Sequence, residues 1–169
     1  GGIPLTRETS KVKIDNLKKG VDIIIHCAFN SSHKVDSNNL YDYLSDNVFL
    51  TEELINIPHK KFIFISSVDV YPKDEKTHVE DEVIDIDSVR GIYALTKLMS
   101  ESLIKKEYSN YLILRCSSLI GKYARKNTLI KIRTEEKPIL ILSPDSSFNY
   151  VLHTDVSKFI KLAIEKNLQ

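Results

Sequence analysis

A chain of 169 residues suits one domain with a core of ordinary size. Its 24 Lys plus Arg against 23 Asp plus Glu leave a formal net charge of +1, so no electrostatic reason exists to expect nucleic acid or an anionic membrane as partner. With 42% hydrophobic and 28% charged residues and no apolar run of bilayer-spanning length, the composition is that of a soluble globular protein rather than a membrane or disordered one.

Ile3 to Arg7 reads as the end of a strand entering a turn. Val21 to Cys27, introduced by Gly20, is short and rich in β-branched residues, the pattern of a strand buried on both faces. Residues 31–39 are polar and form a loop. From Leu40 to Ile57 the apolar positions Leu40, Tyr43, Leu44, Val48, Leu50, Leu54 and Ile55 follow helical spacing, and Pro58 ends that helix. Phe62 to Ser66 is a second apolar strand. Residues 72–90 are acidic and irregular, a long excursion of the kind that carries function. A helix follows from about Gly91 to Glu107, with Ile92, Leu95, Met99 and Leu103 along one face. Strands at Tyr111 to Cys116 and Ile139 to Leu142 and a helix over Val156 to Glu165 complete the reading. Cys27 and Cys116 fall inside apolar runs without metal-ligand spacing, so we expect buried, reduced thiols in a cytoplasmic protein.

Buried strands alternating with helices predict an α/β fold, a doubly wound parallel sheet covered on both faces. In Tyr93-Ala-Leu-Thr-Lys97 the phenol and the ammonium share one helix face. A free tyrosine titrates near pH ~10, and a neighbouring cation lowers that value toward useful acid/base work. Taken alone, the pair also suits an exposed helix. Upstream, the strand Lys61-Phe-Ile-Phe-Ile65 runs into Ser66-Ser67-Val-Asp69-Val-Tyr71, which puts hydroxyls at a strand's C-terminal end, where open α/β sheets bind ligands.

Ser, Tyr and Lys in this order resemble the extended short-chain dehydrogenase/reductase family, which includes nucleotide-sugar epimerases and dehydratases. The resemblance covers nearly the whole chain. Val21-Asp-Ile-Ile-Ile-His26-Cys-Ala28 is similar to the family's fourth strand, which ends in a His-x-Ala signature beside the cofactor. Asn47 to Leu54 resembles the following helix, with its Asn near the active site. Leu114-Arg115-Cys116-Ser-Ser118-Leu-Ile-Gly121 is similar to the strand and loop that lie along nicotinamide and substrate. Phe148 to Val156 resembles a late segment in which an Asp opens a helix, with Thr154 or Asp155 placed to cap it.

The resemblance implies a partial Rossmann-like catalytic domain over residues 1–169, with residues from about 122 to 150 contributing to a small substrate lobe. It implies NAD or NADP as cofactor and a nucleotide sugar or other small molecule as substrate, with no metal; a homodimer is one option for the assembly, which the sequence does not decide. Tyr93 would be the general acid/base, Lys97 would lower its pKa and hold the nicotinamide ribose, and Ser67 would hydrogen-bond the reacting oxygen. Ala28, Ser66, Cys116 and Ser118 would line the cofactor. Asp69 stands where dehydratases of the family carry an acidic catalytic residue, and equally suits a solvated turn. Arg7 is placed either to pair with an adenosine 2′-phosphate or to sit on the surface. Reduction of a non-sugar carbonyl compound and a non-catalytic binding role are the alternatives.

Pro72 departs from the family, replacing the Gly that usually follows the Tyr71 position. No G-x-x-G-x-x-G loop occurs in this sequence, and Gly1-Gly2 does not serve as one. Roughly thirty residues are therefore expected to precede Ile3, carrying the strand, loop and helix with which the fold begins. Without that strand, backbone groups in mid-sheet would be unpaired, so the 169 residues alone are expected to fold poorly and to be inactive.

Overall fold

The computed structural model describes residues 2–6, 17–30, 32, 34–140, 142–143 and 145–169. Arg7, and with it the 2′-phosphate expectation, lies outside the described residues. The chain forms two compact units, which divide between Arg115 and Cys116. No helix among the described residues is long and apolar enough to cross a membrane.

In the first unit a three-stranded sheet has the order β1-β2-β3, formed by Val21–His26, His59–Ser67 and Tyr111–Cys116. β1 and β2 run parallel, with Val21 opposite His59 and His26 opposite Phe64. The β-branched run of β1 suits the extended backbone. Burial on both faces does not extend to Ile25, which is 47% exposed. β2 is the central strand and the most buried, with Phe62, Ile63 and Phe64 fully enclosed. Phe62 and Phe64 form one core cluster with Leu54, Ile55, Ile57 and Ile104.

The helix expected over residues 40–57 is in fact three segments. Helix α1 (Leu40–Leu44) passes into a π-helical turn (Ser45–Phe49) and then into α2 (Leu50–Ile55). The Asn47 carbonyl, within the wider turn, accepts hydrogen bonds from Thr51 Oγ1 at 2.9 Å and Ser100 Oγ at 3.0 Å. Helix α3 (Ile92–Glu107) starts at Gly91, whose φ of 88° favours glycine. Its buried face is not the apolar stripe of the sequence: Met99 is 49% exposed, while Thr96, Lys97, Ser100 and Glu101 are buried with Ala94 and Ile104. Lys97, Ser100 and Glu101 turn inward because each finds a partner on an element it faces, while Thr96 Oγ1 donates back to the Ile92 and Tyr93 carbonyls of its own helix.

In the second unit, β4 (Ser118–Ile120) pairs in parallel with β5 (Tyr150–Leu152); helix α4 (Thr128–Thr134) lies between them in sequence and α5 (His153–Glu165) follows β5. The strand expected at Ile139–Leu142 does not form at its described residues; Tyr150–Leu152 takes the pairing edge of β4, and Ile139 is 80% exposed. Helix α5 begins earlier than expected, directly from β5 at Leu152. Thr154 and Asp155 therefore lie inside its first turn rather than capping it, with Asp155 favourably near the helix N-terminus. Gly121 has a φ of 146°, and a Cβ there would meet His153 Nδ1 at 2.9 Å.

Candidate active site

The C-terminal ends of β1 and β2 and the first half of α3 bring the chemistry-bearing residues of the first unit together. Lys97 is 3% exposed and donates from Nζ to the Ile65 carbonyl at 2.7 Å. The same ammonium lies 3.9 Å from the Phe29 ring centre and 4.6 Å from that of Phe64. Desolvation and the two ring faces make these cation–π contacts stronger than exposed ones. Tyr93, one turn earlier on α3, packs edge-to-face on Phe29 at 5.0 Å. Phe29 therefore touches both Tyr93 and Lys97. It was not among the expected site residues, because an aromatic just after a strand reads as ordinary packing.

Phe29 is held in place by Asn47. The Asn47 side chain accepts from the Asn30 backbone N–H at 2.6 Å and donates to the Asn30 carbonyl at 3.0 Å. The inserted π turn thus sets the loop after β1 as well as receiving Ser100 from α3. Ala28 is exposed in that loop, and Cys27 is exposed beside it rather than buried as expected, since both follow the last paired residue of β1. Cys116 is partly buried.

His26 is 2% exposed, and its Nε2 lies 3.0 Å from Thr51 Oγ1. Burial, and then the charge of Lys97, pushes its pKa down to about 3. The imidazole is therefore neutral in the folded protein, whereas in an unfolded chain it takes up a proton below pH ~6.5. The contribution of neutral His26 is complete above that pH and is lost as pH falls toward the folded value. Between pH ~7 and ~5 the stability advantage of wild type over His26→Gln should shrink by about 2 kcal/mol in urea unfolding. An advantage that does not change with pH would contradict the buried, neutral assignment.

Ser67 ends β2, 7% exposed, and its Oγ accepts from the Asp69 backbone N–H at 3.1 Å and donates to Oδ2 of Asp69 at 3.3 Å. Asp69 is also ion-paired with Lys73 and is about half exposed, the environment of a solvated turn. Ser66 points the other way: its Oγ donates to Glu101 Oε1 at 2.5 Å. Glu101 in turn holds Arg115 by a two-pronged contact, Nε to Oε1 at 3.2 Å and Nη2 to Oε2 at 2.8 Å. Neither Glu101 nor Arg115 was singled out from the sequence, although Glu101 continues the four-residue spacing of Tyr93 and Lys97. Cys116 closes β3 and Ser118 opens β4, both in the second unit.

A phenol, a buried ammonium and a hydroxyl beside the ends of parallel strands form a donor set that fits a ribose diol and a reacting alcohol oxygen. The residues present therefore suit the nicotinamide-ribose end of a dinucleotide. A family model described as the NAD dependent epimerase/dehydratase family matches residues 5–169.

The chain belongs to this family.

Solved epimerase structures share the fold. A UDP-glucuronic acid 4-epimerase from Bacillus cereus, in complex with UDP-glucuronic acid and NAD, matches with a TM-score of 0.75 at 24% identity over 92% of this chain and 53% of its own. A UDP-N-acetylglucosamine 4-epimerase from Methanobrevibacter ruminantium M1, in complex with UDP-N-acetylmuramic acid, gives 0.70 at 22% identity over 89% and 54%. MoeE5, in complex with UDP-glucose and NAD, gives 0.74 at 22% identity over 90% and 55%. This epimerase/dehydratase chain thus spans about half the length of the solved structures that it matches. No curated protein matches it.

Proposed function

We propose that this chain is part of the catalytic domain of an NAD-dependent epimerase, dehydratase or reductase that acts on a nucleotide sugar through Ser67, Tyr93 and Lys97. The observation that carries the reading is the convergence of Tyr93 and Lys97 on Phe29, with Lys97 tied to the end of β2. Tyr93 takes the proton from a sugar hydroxyl and later returns one. The fixed charge of Lys97, one turn along the same helix, would favour the phenolate over the phenol. Ser67 donates to the same substrate oxygen as it gains carbonyl character. When bound, NAD would supply hydride transfer to or from the substrate carbon.

Lys97 and Tyr93 are assigned to the nicotinamide ribose, with Ala28 along the strand-end loop; Cys116 and Ser118 are cofactor residues on the family resemblance alone. Arg7 carries the NADP option: Arg7→Asp should then weaken NADP more than NAD. Asp69, engaged by Lys73 and Ser67, favours a turn role over dehydration chemistry. Residues from about 122 to 150 are assigned to the substrate lobe. A homodimer is part of the proposal, on the exposed Tyr41, Phe49 and Met99. So is a cytoplasmic location, which suits the free thiols Cys27 and Cys116.

The test is direct. The full-length protein is incubated with NAD and, in turn, UDP-glucuronic acid, UDP-N-acetylglucosamine and UDP-glucose, and the sugar products are followed by NMR. Formation of a C4 epimer or a dehydrated sugar upholds the reading. Turnover only of non-sugar carbonyl compounds with a reduced cofactor moves the assignment to a reductase. No turnover, despite cofactor binding, leaves a binding protein.

A further inference from the structure

The catalytic reading uses one end of α3; the other end leads to a polar network that the reading does not employ. Tyr93, Lys97 and Glu101 succeed one another at four-residue spacing on one face of the helix. Lys97 holds the Ile65 carbonyl and Glu101 holds the Ser66 hydroxyl, so consecutive residues of β2, just before Ser67, are fastened to consecutive turns of α3. Beyond Glu101 stands Arg115, its side chain 10% exposed against 2% for Glu101.

Two of the three Arg115 nitrogens are committed to Glu101. The third, Nη1, donates to the Tyr71 hydroxyl at 2.9 Å and the Glu80 carbonyl at 3.2 Å, and the guanidinium lies 4.9 Å from the Tyr71 ring centre. The Tyr71 hydroxyl passes its own proton to the Val79 carbonyl at 3.2 Å. Residues 79 and 80 lie in the acidic excursion after β2, which thus returns to the sheet at one point. His78 closes it from outside, stacked 5.1 Å from Tyr71, with Nδ1 2.9 Å from Glu82 Oε1 and Nε2 3.0 Å from Asp74 Oδ1.

Burying a carboxylate and a guanidinium is poor value as stability alone, because well-packed apolar residues often serve as well. A planar fork that engages three groups in fixed directions supplies what apolar residues do not, namely orientation. We propose that Arg115, held by Glu101, is a positioning residue that locks the 71–82 excursion to the Ser66–Ser67 strand end, so that loop and acid/base helix form one rigid body. The inference rests on the catalytic reading for its consequence in turnover, but not for the fastening itself.

The experiment uses the full-length protein with two variants, Arg115→Lys, which keeps the charge and loses the fork, and Tyr71→Phe, which removes one hydroxyl and folds with little disturbance. Hydrogen exchange of the amides in residues 73–82 should accelerate about ten- to a hundredfold in both, the range for loss of a charge-assisted bond, while the β2 core amides stay at the wild-type rate. With a UDP-sugar substrate, kcat should fall about tenfold while the KM for NAD and the pKa values of the pH–rate profile hold. Unchanged exchange in 73–82, in either variant, overturns the proposal, as does accelerated exchange with unaltered kcat. Should wild type act on no UDP-sugar, the catalytic reading falls and the exchange arm alone upholds or overturns the fastening.

Discussion

Tyr93→Phe should lower turnover by about 10²–10⁴-fold, the usual contribution of a general acid/base, or roughly 3–5 kcal/mol of barrier. The substitution removes only the phenolic oxygen. The ring keeps its edge-to-face contact with Phe29, so the unfolding midpoint should remain near wild type and the cofactor should still bind. Lys97→Met should act on the same step by another route. Without the cation the phenolate is disfavoured, and the basic-side pKa of the rate profile should move upward. That variant also leaves the Ile65 carbonyl without its Nζ donor, so a stability loss of about 1–3 kcal/mol should accompany it. Steady-state rates of the Phe variant decide the assignment. A value within about threefold of wild type would remove Tyr93 from the chemistry.

Glu101→Ala should be the most destabilising polar substitution in the first unit. It takes away the acceptor of the Ser66 hydroxyl and leaves the Arg115 guanidinium without its carboxylate, at a cost of about 3–5 kcal/mol. The double variant Glu101→Met with Arg115→Met, which removes both charges together, should recover much of that loss. Urea midpoints of the single and double variants close the cycle. A single-variant loss under about 1 kcal/mol would mean that water replaces the pair and that the network is not buried in solution.

The Tyr93 and Lys97 relationship was legible because helical geometry alone puts residues four apart side by side, whatever surrounds them. Ser66 and Ser67 were legible as a strand end because an unbroken apolar run stops there. Other features depend on which elements meet, and no local pattern records that. Phe29 meets Tyr93 and Lys97 only because α3 brings an ammonium and a phenol to its ring. Glu101 and Arg115 lie on different elements, and nothing in either segment names the other. The π turn was hidden because the apolar spacing from Leu40 to Ile55 tolerates one wide turn. Ile139 to Leu142 has the composition of a strand, but β4 has its partner in Tyr150–Leu152. Composition supplies propensity, and the available edge decides the pairing.

The inward polar face of α3 ties the life of the site to the life of the fold. A helix with a continuous apolar stripe finds its orientation by collapse against any greasy surface, and a loosely packed intermediate often keeps it. Helix α3 lacks that shortcut, because Lys97, Ser100 and Glu101 gain nothing from non-specific contact and must meet their own partners. Its seat is defined by bonds to the β2 strand end, the Asn47 carbonyl and Arg115. Denaturant or heat should therefore not yield a compact species that has lost its packing yet still orients Tyr93. If Tyr93 has the proposed role, competence for chemistry and native order should vanish together, and turnover would then gauge the folded fraction.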